Sequence, residues 1–77
     1  MSFDYPVCVT PDDKDGGFVV TCRDLPEVIT QGETLADALA QAVDALDESF
    51  ALRMDDGLEI PFPSLALPGE HIISPPG

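Results

Sequence analysis

One long amphipathic helix is the feature that most restricts how this chain can fold. Thr34 is the predicted N-cap, and Asp37 at the third helical position completes a capping box in which Asp replaces the commoner Glu or Gln. Gly57 is placed to end the helix, so it covers about residues 34–56. Residues that recur at about 3.6-residue spacing fall on one side of this helix. That side contains Leu35, Leu39, Ala42, Leu46, Ser49, Phe50 and Arg53.

Short runs rich in β-forming residues flank this helix, three before it and one after it. They are residues 5–10, 18–24, 27–31 and 70–74. Pro6 cannot donate to a strand ladder, so it is expected at a strand start or on a sheet edge. Residues 61–69 are Pro-rich without helical periodicity, and they predict an ordered loop or linker.

The order β-β-β-α-β predicts an α+β fold, a two-layer sandwich of one antiparallel sheet and one helix. A three-stranded meander needs a cover on one face, and this helix is the predicted cover. The last strand is expected to return beside the first hairpin. One bare sheet face and at least one open edge remain, and both are natural docking surfaces. We expect a single domain over residues 1–77, and the final Pro-Pro-Gly is typical of a linker leading into a longer natural protein.

The charge balance favours a basic partner over nucleic acid or an anionic membrane. The 77 residues include 15 acidic and 3 basic side chains, for a net charge of -12. Such a surface repels phosphates and attracts basic proteins, although high charge also simply keeps a small protein soluble. A chain of this size has a thin core, so self-association or docking is an expected source of further stability.

Neither a membrane segment nor a redox motif is evident. No apolar run approaches the roughly 18 residues needed to span a bilayer, and the N-terminus lacks the pattern of a secretory signal. Cys8 and Cys22 show no CxxC spacing and no neighbouring His cluster. They are expected to be reduced thiols of a cytoplasmic protein, on adjacent strands where they could face each other across the hairpin.

Several short motifs in order resemble the HicB-type antitoxins of bacterial toxin–antitoxin systems. They lie in YPVCVTPDDKDGGFVVTCRDLPEVITQGETLADAL and in the later DDGLEIPFPS. The shared features are Tyr-Pro, Asp-Gly-Gly before an aromatic residue, Asp-Leu-Pro, Thr-Gln-Gly-Glu-Thr before an Ala-rich helix, and a Pro-rich segment after it. The match covers about residues 5–64. Glu27-Val28 departs from it, since many relatives have Gly-Cys there.

The resemblance implies a partial RNase H-like fold and a protein partner. That partner is a HicA-like toxin, a small basic ribonuclease of double-stranded-RNA-binding fold that cleaves mRNA with a histidine and whose active site the antitoxin covers. Family members usually carry a C-terminal DNA-binding module, of which these 77 residues contain nothing. DNA binding is therefore expected only through that missing module. The resemblance also implies a homo-oligomer.

The candidate toxin-binding residues form an outward stripe on the helix. They are Asp37, Asp44 and Glu48, with Asp44 central. A carboxylate beside the toxin's histidine would stabilise the imidazolium and stop it from acting as a base. The alternative interpretation of the stripe is a solvated helix face.

Catalysis is not predicted. Asp12, Asp13 and Asp15 lie in one flexible turn, whereas a metal-dependent nuclease needs carboxylates that converge from separate elements. His71 is the only histidine, and a lone exposed histidine is usually a surface residue. We predict no enzyme, no catalytic residue, no metal ligand and no cofactor. The alternatives are a degenerate RNase H-like metal-dependent nuclease and a free-standing acidic interaction module.

Overall fold

Residues 4–75 are described by the structure, a computed structural model, and they form four strands and one helix. The elements are β1 (Tyr5–Pro11), β2 (Phe18–Thr21), β3 (Ile29–Gly32), α1 (Leu35–Asp55) and β4 (His71–Ile73). This order confirms the predicted α+β class with an antiparallel sheet and one helix. The second strand ends earlier than predicted, at Thr21, because the chain then bends through Cys22 toward Leu25.

The strands are arranged β3-β2-β1-β4, and each neighbouring pair is antiparallel. β4 pairs with β1, so the last strand returns beside the first hairpin as predicted. β1 is consequently an interior strand, and Pro6 stands near its start rather than on an edge. β3 and β4 form the two edges of the sheet.

One apolar core lies between the sheet and α1. Alternate strand residues point into it, since successive side chains of a strand face opposite ways. The buried core residues are Tyr5, Val7, Val20, Cys22, Leu25, Val28, Ala38, Ala42, Leu46 and Ile73. The ring of Phe50 also packs on that of Tyr5, with centroids 5.7 Å apart. The two layers therefore depend on a single shared core.

The helix lies close to the sheet where Gly32 of β3 faces Ala38 of α1. A Cβ at Gly32 would lie 2.4 Å from the backbone nitrogen of Ala38. The buried stripe of α1 accordingly consists of Ala38, Ala42, Leu46 and Ser49. Leu35, predicted on the same side of the helix, is the first residue of α1 and is 39% exposed there.

Both helix ends form as predicted. The backbone N–H of Asp37 donates to Thr34 Oγ1 over 3.0 Å, which is the N-cap bond. Asp37 Oδ2 accepts from the backbone N–H of Glu33 over 3.2 Å, one residue before the usual capping-box donor. At the other end, Gly57 has a φ of 71° and its N–H donates to the carbonyl of Met54.

A Pro-rich strap, residues 58–70, joins α1 to β4 without regular structure. It is nonetheless held by specific bonds, because Tyr5 Oη donates to the Pro61 carbonyl and Asp24 Oδ2 accepts from the Ser64 N–H over 2.9 Å. These two bonds tie the strap to β1 and to the segment that follows β2. The strap presents Leu65, which is 91% exposed, to solvent.

The two cysteines lie on opposite faces of the sheet, so the expectation that they could face each other is wrong. Cys8 is opposite Thr21 in the β1–β2 register, and it is exposed. Cys22 is one residue further along and therefore points the other way, into the core, where it is 3% exposed. Burial raises the pKa of the Cys22 thiol, which keeps it protonated.

Candidate partner-binding site

A groove of about 440 Å³ lies where α1 runs beside the edge strand β3. It is lined by Glu27, Ile29, Thr30, Gln41, Asp44, Ala45, Glu48, Ser49 and Leu52. The lining combines carboxylates with apolar side chains and hydroxyls. Such a surface suits a long cationic side chain, whose aliphatic stem packs on apolar groups while its head meets a carboxylate.

Two of the three predicted site residues, Asp44 and Glu48, lie together in this groove. They are four residues apart on α1 and therefore neighbours on one helix face. Both are exposed. Leu52, one further turn along, is 61% exposed and extends the same row with an apolar side chain. The groove thus offers an anionic end and an apolar end along one helix.

The third predicted residue, Asp37, lies elsewhere. It borders a separate hollow near the start of α1, together with Gly17, Gln31 and Glu33. Its carboxylate already accepts a hydrogen bond from the Glu33 N–H as part of the helix cap. The structure therefore places Asp37 in a structural position, apart from Asp44 and Glu48.

Glu27 is a groove residue that sequence reasoning did not identify. Its carboxylate forms a bidentate pair with Arg53, with Nε–Oε2 at 2.7 Å and Nη2–Oε1 at 3.0 Å, and it also accepts from Ser49 Oγ. The hydrogen bonds from Arg53 lower the pKa of Glu27 to about 2. The available signal was Glu27-Val28, the site where the chain departs from the family pattern. Because Arg53 neutralises Glu27, the uncompensated charge of the groove comes from Asp44 and Glu48.

A second bidentate pair holds the strap. Arg23 contacts Glu70 through Nε–Oε2 at 3.2 Å and Nη2–Oε1 at 3.1 Å, and these bonds lower the pKa of Glu70. Two of the three basic residues of the chain are thereby used inside the molecule, leaving Lys14 in the β1–β2 turn. The acids on the outer side of α1 remain without compensation from these two arginines.

The acidic turn between β1 and β2 serves its own conformation. Asp12 Oδ1 accepts the backbone N–H groups of Lys14 and Asp15 at 3.0 and 3.3 Å, which is an Asx-type turn. Within residues 4–75, no three His, Cys, Asp or Glu side chains are grouped so as to hold a metal ion. His71, half-buried in β4, is distant in sequence from the groove acids.

The wall of the groove contains one unsatisfied hydroxyl. Thr30 Oγ1 is buried and has no hydrogen-bond partner among the residues that the structure describes. A buried hydroxyl without a partner costs free energy. It would gain a bond from any polar group that entered the groove beside it.

Across the described residues, no helix combines the length and apolar character needed to cross a membrane.

Comparisons with known proteins agree on one family. Residues 4–76 match the family model of the HicB-like antitoxin of bacterial toxin–antitoxin systems. Antitoxin HicB of Escherichia coli K12 is 43% identical over 72 residues, which cover 94% of this chain and 51% of that protein. Antitoxin HicB 1 of Photorhabdus laumondii is 42% identical over 59 residues, covering 77% of this chain and 37% of that protein. The chain spans about half the length, or less, of these curated relatives.

A solved structure supports the same assignment. The crystal structure of the N-terminal domain of Burkholderia pseudomallei antitoxin HicB superposes with a TM-score of 0.72 at 26% identity. The alignment covers 92% of this chain and 93% of that one. Fold, family model and sequence identity coincide over nearly the whole chain, and the chain belongs to the HicB-like antitoxin family of bacterial toxin–antitoxin systems.

Proposed function

We propose that this domain is the toxin-binding part of an antitoxin and that it inhibits a basic, HicA-like, mRNA-cleaving toxin through the groove between α1 and β3. The observation that carries the proposal is the pair Asp44 and Glu48, which line a groove beside the exposed apolar residue Leu52. Because the target cleaves mRNA, the proposed site of action is the cytoplasm. As a member of an antitoxin family the domain is non-enzymatic, in agreement with the prediction.

Electrostatics supports a basic partner. A ribonuclease that holds RNA with cationic side chains presents a positive surface, and a domain at -12 is steered toward it. Within the groove, an Arg or Lys of the toxin would place its stem against Leu52 and its head between Asp44 and Glu48. Arg would suit this position well, because its guanidinium can bind carboxylates in bidentate fashion.

Inhibition follows if the same carboxylates reach the toxin's catalytic histidine. A carboxylate beside an imidazole raises the imidazole pKa and keeps the ring protonated. A protonated ring cannot accept the proton that a general base must remove. Binding would also exclude RNA from the covered surface, so the histidine contact would add to simple occlusion.

The remaining parts of the proposal concern the longer protein. The curated relatives extend well beyond the aligned region, since they are about twice as long as the match. We assign promoter binding to a C-terminal module outside this chain. We also propose that the antitoxin assembles as a homo-oligomer.

The test is to co-express the chain with the basic, roughly 60- to 80-residue product of an adjoining gene and to measure affinity and RNA cleavage. The double variant Asp44→Lys/Glu48→Lys reverses the charge of the groove. Asp47→Lys/Asp55→Lys is the matched control, because it makes the same charge change at exposed helix positions that do not line the groove. The groove variant should raise Kd at least about tenfold more than the control and restore RNA cleavage.

Equal losses in both variants would show that total charge, and not the groove, governs binding. Absence of a complex at both low and high salt would overturn the antitoxin proposal. Metal-dependent nuclease activity of the purified chain would then favour the alternative of a degenerate RNase H-like enzyme, and self-assembly without activity would favour a free-standing interaction module.

A further inference from the structure

The outer edge of β3 is open to another strand. Among residues 4–75, β3 (Ile29–Gly32) pairs only with β2, so one side of its backbone has no strand beside it. β3 contains no proline and no charged side chain, and its register with β2 runs through all four residues without a bulge. Proteins commonly protect an edge strand by one of these devices, because an unprotected edge can pair with a strand of another chain. The other edge strand, β4, has three residues and leads into Pro75.

The alternation of hydrogen bonds in the sheet shows which backbone groups face which way. The N–H of Asp12 donates to the carbonyl of Gly17 over 3.0 Å, which continues the β1–β2 ladder beyond Pro11. Bonded and non-bonded pairs alternate along an antiparallel ladder. Pro11, which has no N–H, therefore lies in a non-bonded pair, and Thr10 with Val19 forms the next bonded pair. The backbone groups of Val19 thus face β1.

The same alternation reaches the edge strand. Val20 follows Val19, so its N–H and C=O face β3, where Thr30 is its partner. Thr30 accordingly directs its own backbone groups toward β2. Ile29 and Gln31, on either side of Thr30, direct theirs outward, where no described strand bonds to them. The outer edge therefore offers the N–H and C=O groups of Ile29 and Gln31 in strand geometry.

The groove between α1 and β3 lies on the helix side of this edge. Its lining includes Ile29 and Thr30 of the strand and Asp44 and Glu48 of the helix. Thr30 is on the α1 side of the sheet, because its partner Val20 is buried in the core. The side chains of an added strand would alternate between the two faces, and those on the α1 side would enter the groove. There a cationic side chain would meet Asp44 and Glu48 and would donate to the unsatisfied Thr30 Oγ1.

We propose that the toxin binds by adding one of its strands to the outer edge of β3, with a basic side chain of that strand in the groove. This inference rests on the proposed function, because the partner is the same basic toxin, and it adds the element of the toxin that binds and the backbone groups that it uses. In strand addition, main-chain hydrogen bonds supply affinity and side chains at alternate positions supply specificity. Here the hydrogen bonds involve Ile29 and Gln31, and the specificity comes from Asp44 and Glu48.

The charges around β3 favour a basic strand over a second copy of this chain. Pairing of β3 with β3 of another copy would bring the groove acids of both copies to one seam, where like charges repel. The hollow at the Gly32 end of β3 is acidic as well, since its lining includes Asp15, Glu33 and Asp37. The same carboxylates repel the phosphates of nucleic acid. A strand with basic side chains is the occupant that complements the acids at both ends of β3.

Amide hydrogen exchange tests the inference in the unaltered protein. The isotope-labelled chain is measured free and in complex with the basic product of the adjoining gene. We expect exchange at Ile29 and Gln31 to be fast in the free chain and at least about tenfold slower in the complex. Ile72 of β4 is the control, because its partner Pro6 has no N–H for a bonded pair and its own amide therefore faces outward. Couplings across hydrogen bonds from Ile29 and Gln31 to carbonyls of the toxin would identify strand pairing directly.

A proline variant tests the same edge by binding. Gln31→Pro removes one outward N–H without a change of charge, and proline is tolerated on an edge strand where the N–H faces solvent. Gln31→Ala is the matched control, because it removes the same side chain and keeps the N–H. Ile72→Pro makes the same backbone change on the other edge. We expect Gln31→Pro to raise Kd for the toxin at least about tenfold, and the two controls to raise it less than about twofold. Circular dichroism checks that each variant is folded.

The outcomes separate this inference from the proposed function. A complex in which Ile29 and Gln31 exchange as fast as in the free chain would overturn the inference and leave the proposed function intact. Folded Gln31→Pro that binds as tightly as Gln31→Ala would have the same consequence. Protection of Ile72 instead would assign the toxin's strand to β4 and overturn it.

Two further results would also count against strand addition by the toxin. Protection of Ile29 and Gln31 in the free chain that rises with protein concentration would assign the edge to a second copy and overturn the inference. Absence of any complex would overturn the proposed function and this inference with it.

Discussion

The two solvent-facing sides of this small sandwich differ sharply in charge. The outer side of α1 carries Asp44, Asp47 and Glu48, whereas the strand residues that alternate away from α1 carry no charge within the described chain. Both sides rest on the same core, and both present exposed side chains, although Pro6 on the sheet side is buried. The difference shows that the acidity of the chain is not spread evenly, because the outward strand residues have no part in it.

This segregation separates two kinds of contact. Binding between an acidic helix and a basic protein is favourable and weakens with salt. An uncharged sheet face suits contact with another uncharged surface. The comparison rests on three premises. The core holds both layers in place, and the layers meet at one close contact. The groove acids Asp44 and Glu48 do not stabilise the fold. Each can be tested by stability measurements.

Leu46→Ala is expected to have the largest effect, because Leu46 is fully buried between the two layers. Removing its side chain should lower the free energy of unfolding by about 3 kcal/mol. Leu52→Ala is the control, since Leu52 belongs to the same helix but is 61% exposed. Urea unfolding of both variants provides the measurement. Similar losses in the two would mean that the layers do not share the core described.

Gly32→Ala should have the next largest effect. The added Cβ would lie 2.4 Å from Ala38 N and 2.7 Å from Ala38 Cα, so the helix has to move away from β3. We expect a loss of about 2 kcal/mol, by the overpacking of a close contact. Gln31→Ala, at the adjacent exposed position, should cost far less in the same unfolding experiment. A stable Gly32→Ala variant would show that the layers can separate without penalty.

Acid should reveal the structural role of Glu27 within the groove. Its folded pKa is about 2, below its usual 4.5, so ionised Glu27 favours the folded state above about pH 4.5, and this contribution disappears as the pH falls toward 2. The paired Glu70 has a lowered pKa too and contributes in the same direction. Because the Glu27 side chain is 39% exposed, we expect only about 1 kcal/mol from it.

Unfolding of Glu27→Gln between about pH 5 and pH 2 measures this contribution. The variant should be less stable than the wild type at neutral pH and should lose less stability on acidification. Glu48→Gln, at an exposed groove acid, is the matched control in the same unfolding series. Parallel profiles for wild type and Glu27→Gln would argue against the pair with Arg53 as a source of stability.

Asp44→Asn should have the smallest effect and sharpen the distinction between the acids of α1. Asp44 is an exposed groove residue, so its replacement should change the free energy of unfolding by less than about 0.5 kcal/mol. Asp37→Asn, in contrast, replaces a capping carboxylate that accepts from the Glu33 N–H, and it should be the more destabilising of the two. The reverse order, measured by thermal unfolding, would assign a structural duty to Asp44.

Local features of this chain could be predicted from sequence because their partners are close along it. Thr34 and Asp37 are three residues apart, and Gly57 acts on the turn that precedes it, so both helix ends were predictable. The pair between Glu27 and Arg53 was not, because 26 residues separate them and their meeting depends on where α1 crosses the sheet. Asp37 shares a helix side with Asp44 and Glu48, but it borders a different hollow, because the β3 residues beside α1 differ at the two places.

The cysteines illustrate how a small uncertainty in register changes a conclusion. Placing Cys22 opposite Cys8 requires a slip of one residue in the β1–β2 pairing, since the observed partner of Cys8 is Thr21. A slip of one residue moves a side chain to the other face of the sheet. The alternation of residue types showed that both runs are strands, but it did not specify their alignment.

The sequence by itself determined the strongly acidic character, which follows from composition. It also determined the α+β class, the single capped helix and the resemblance to the HicB-like antitoxins. These follow from propensity, periodicity and short ordered motifs, which act within a few residues of one another. Only the tertiary structure decided that Asp44 and Glu48 share a groove with Leu52, and that the strands turn an uncharged face outward. Those outcomes depend on strand register and on where α1 crosses the sheet, which are set by packing between residues distant in the chain.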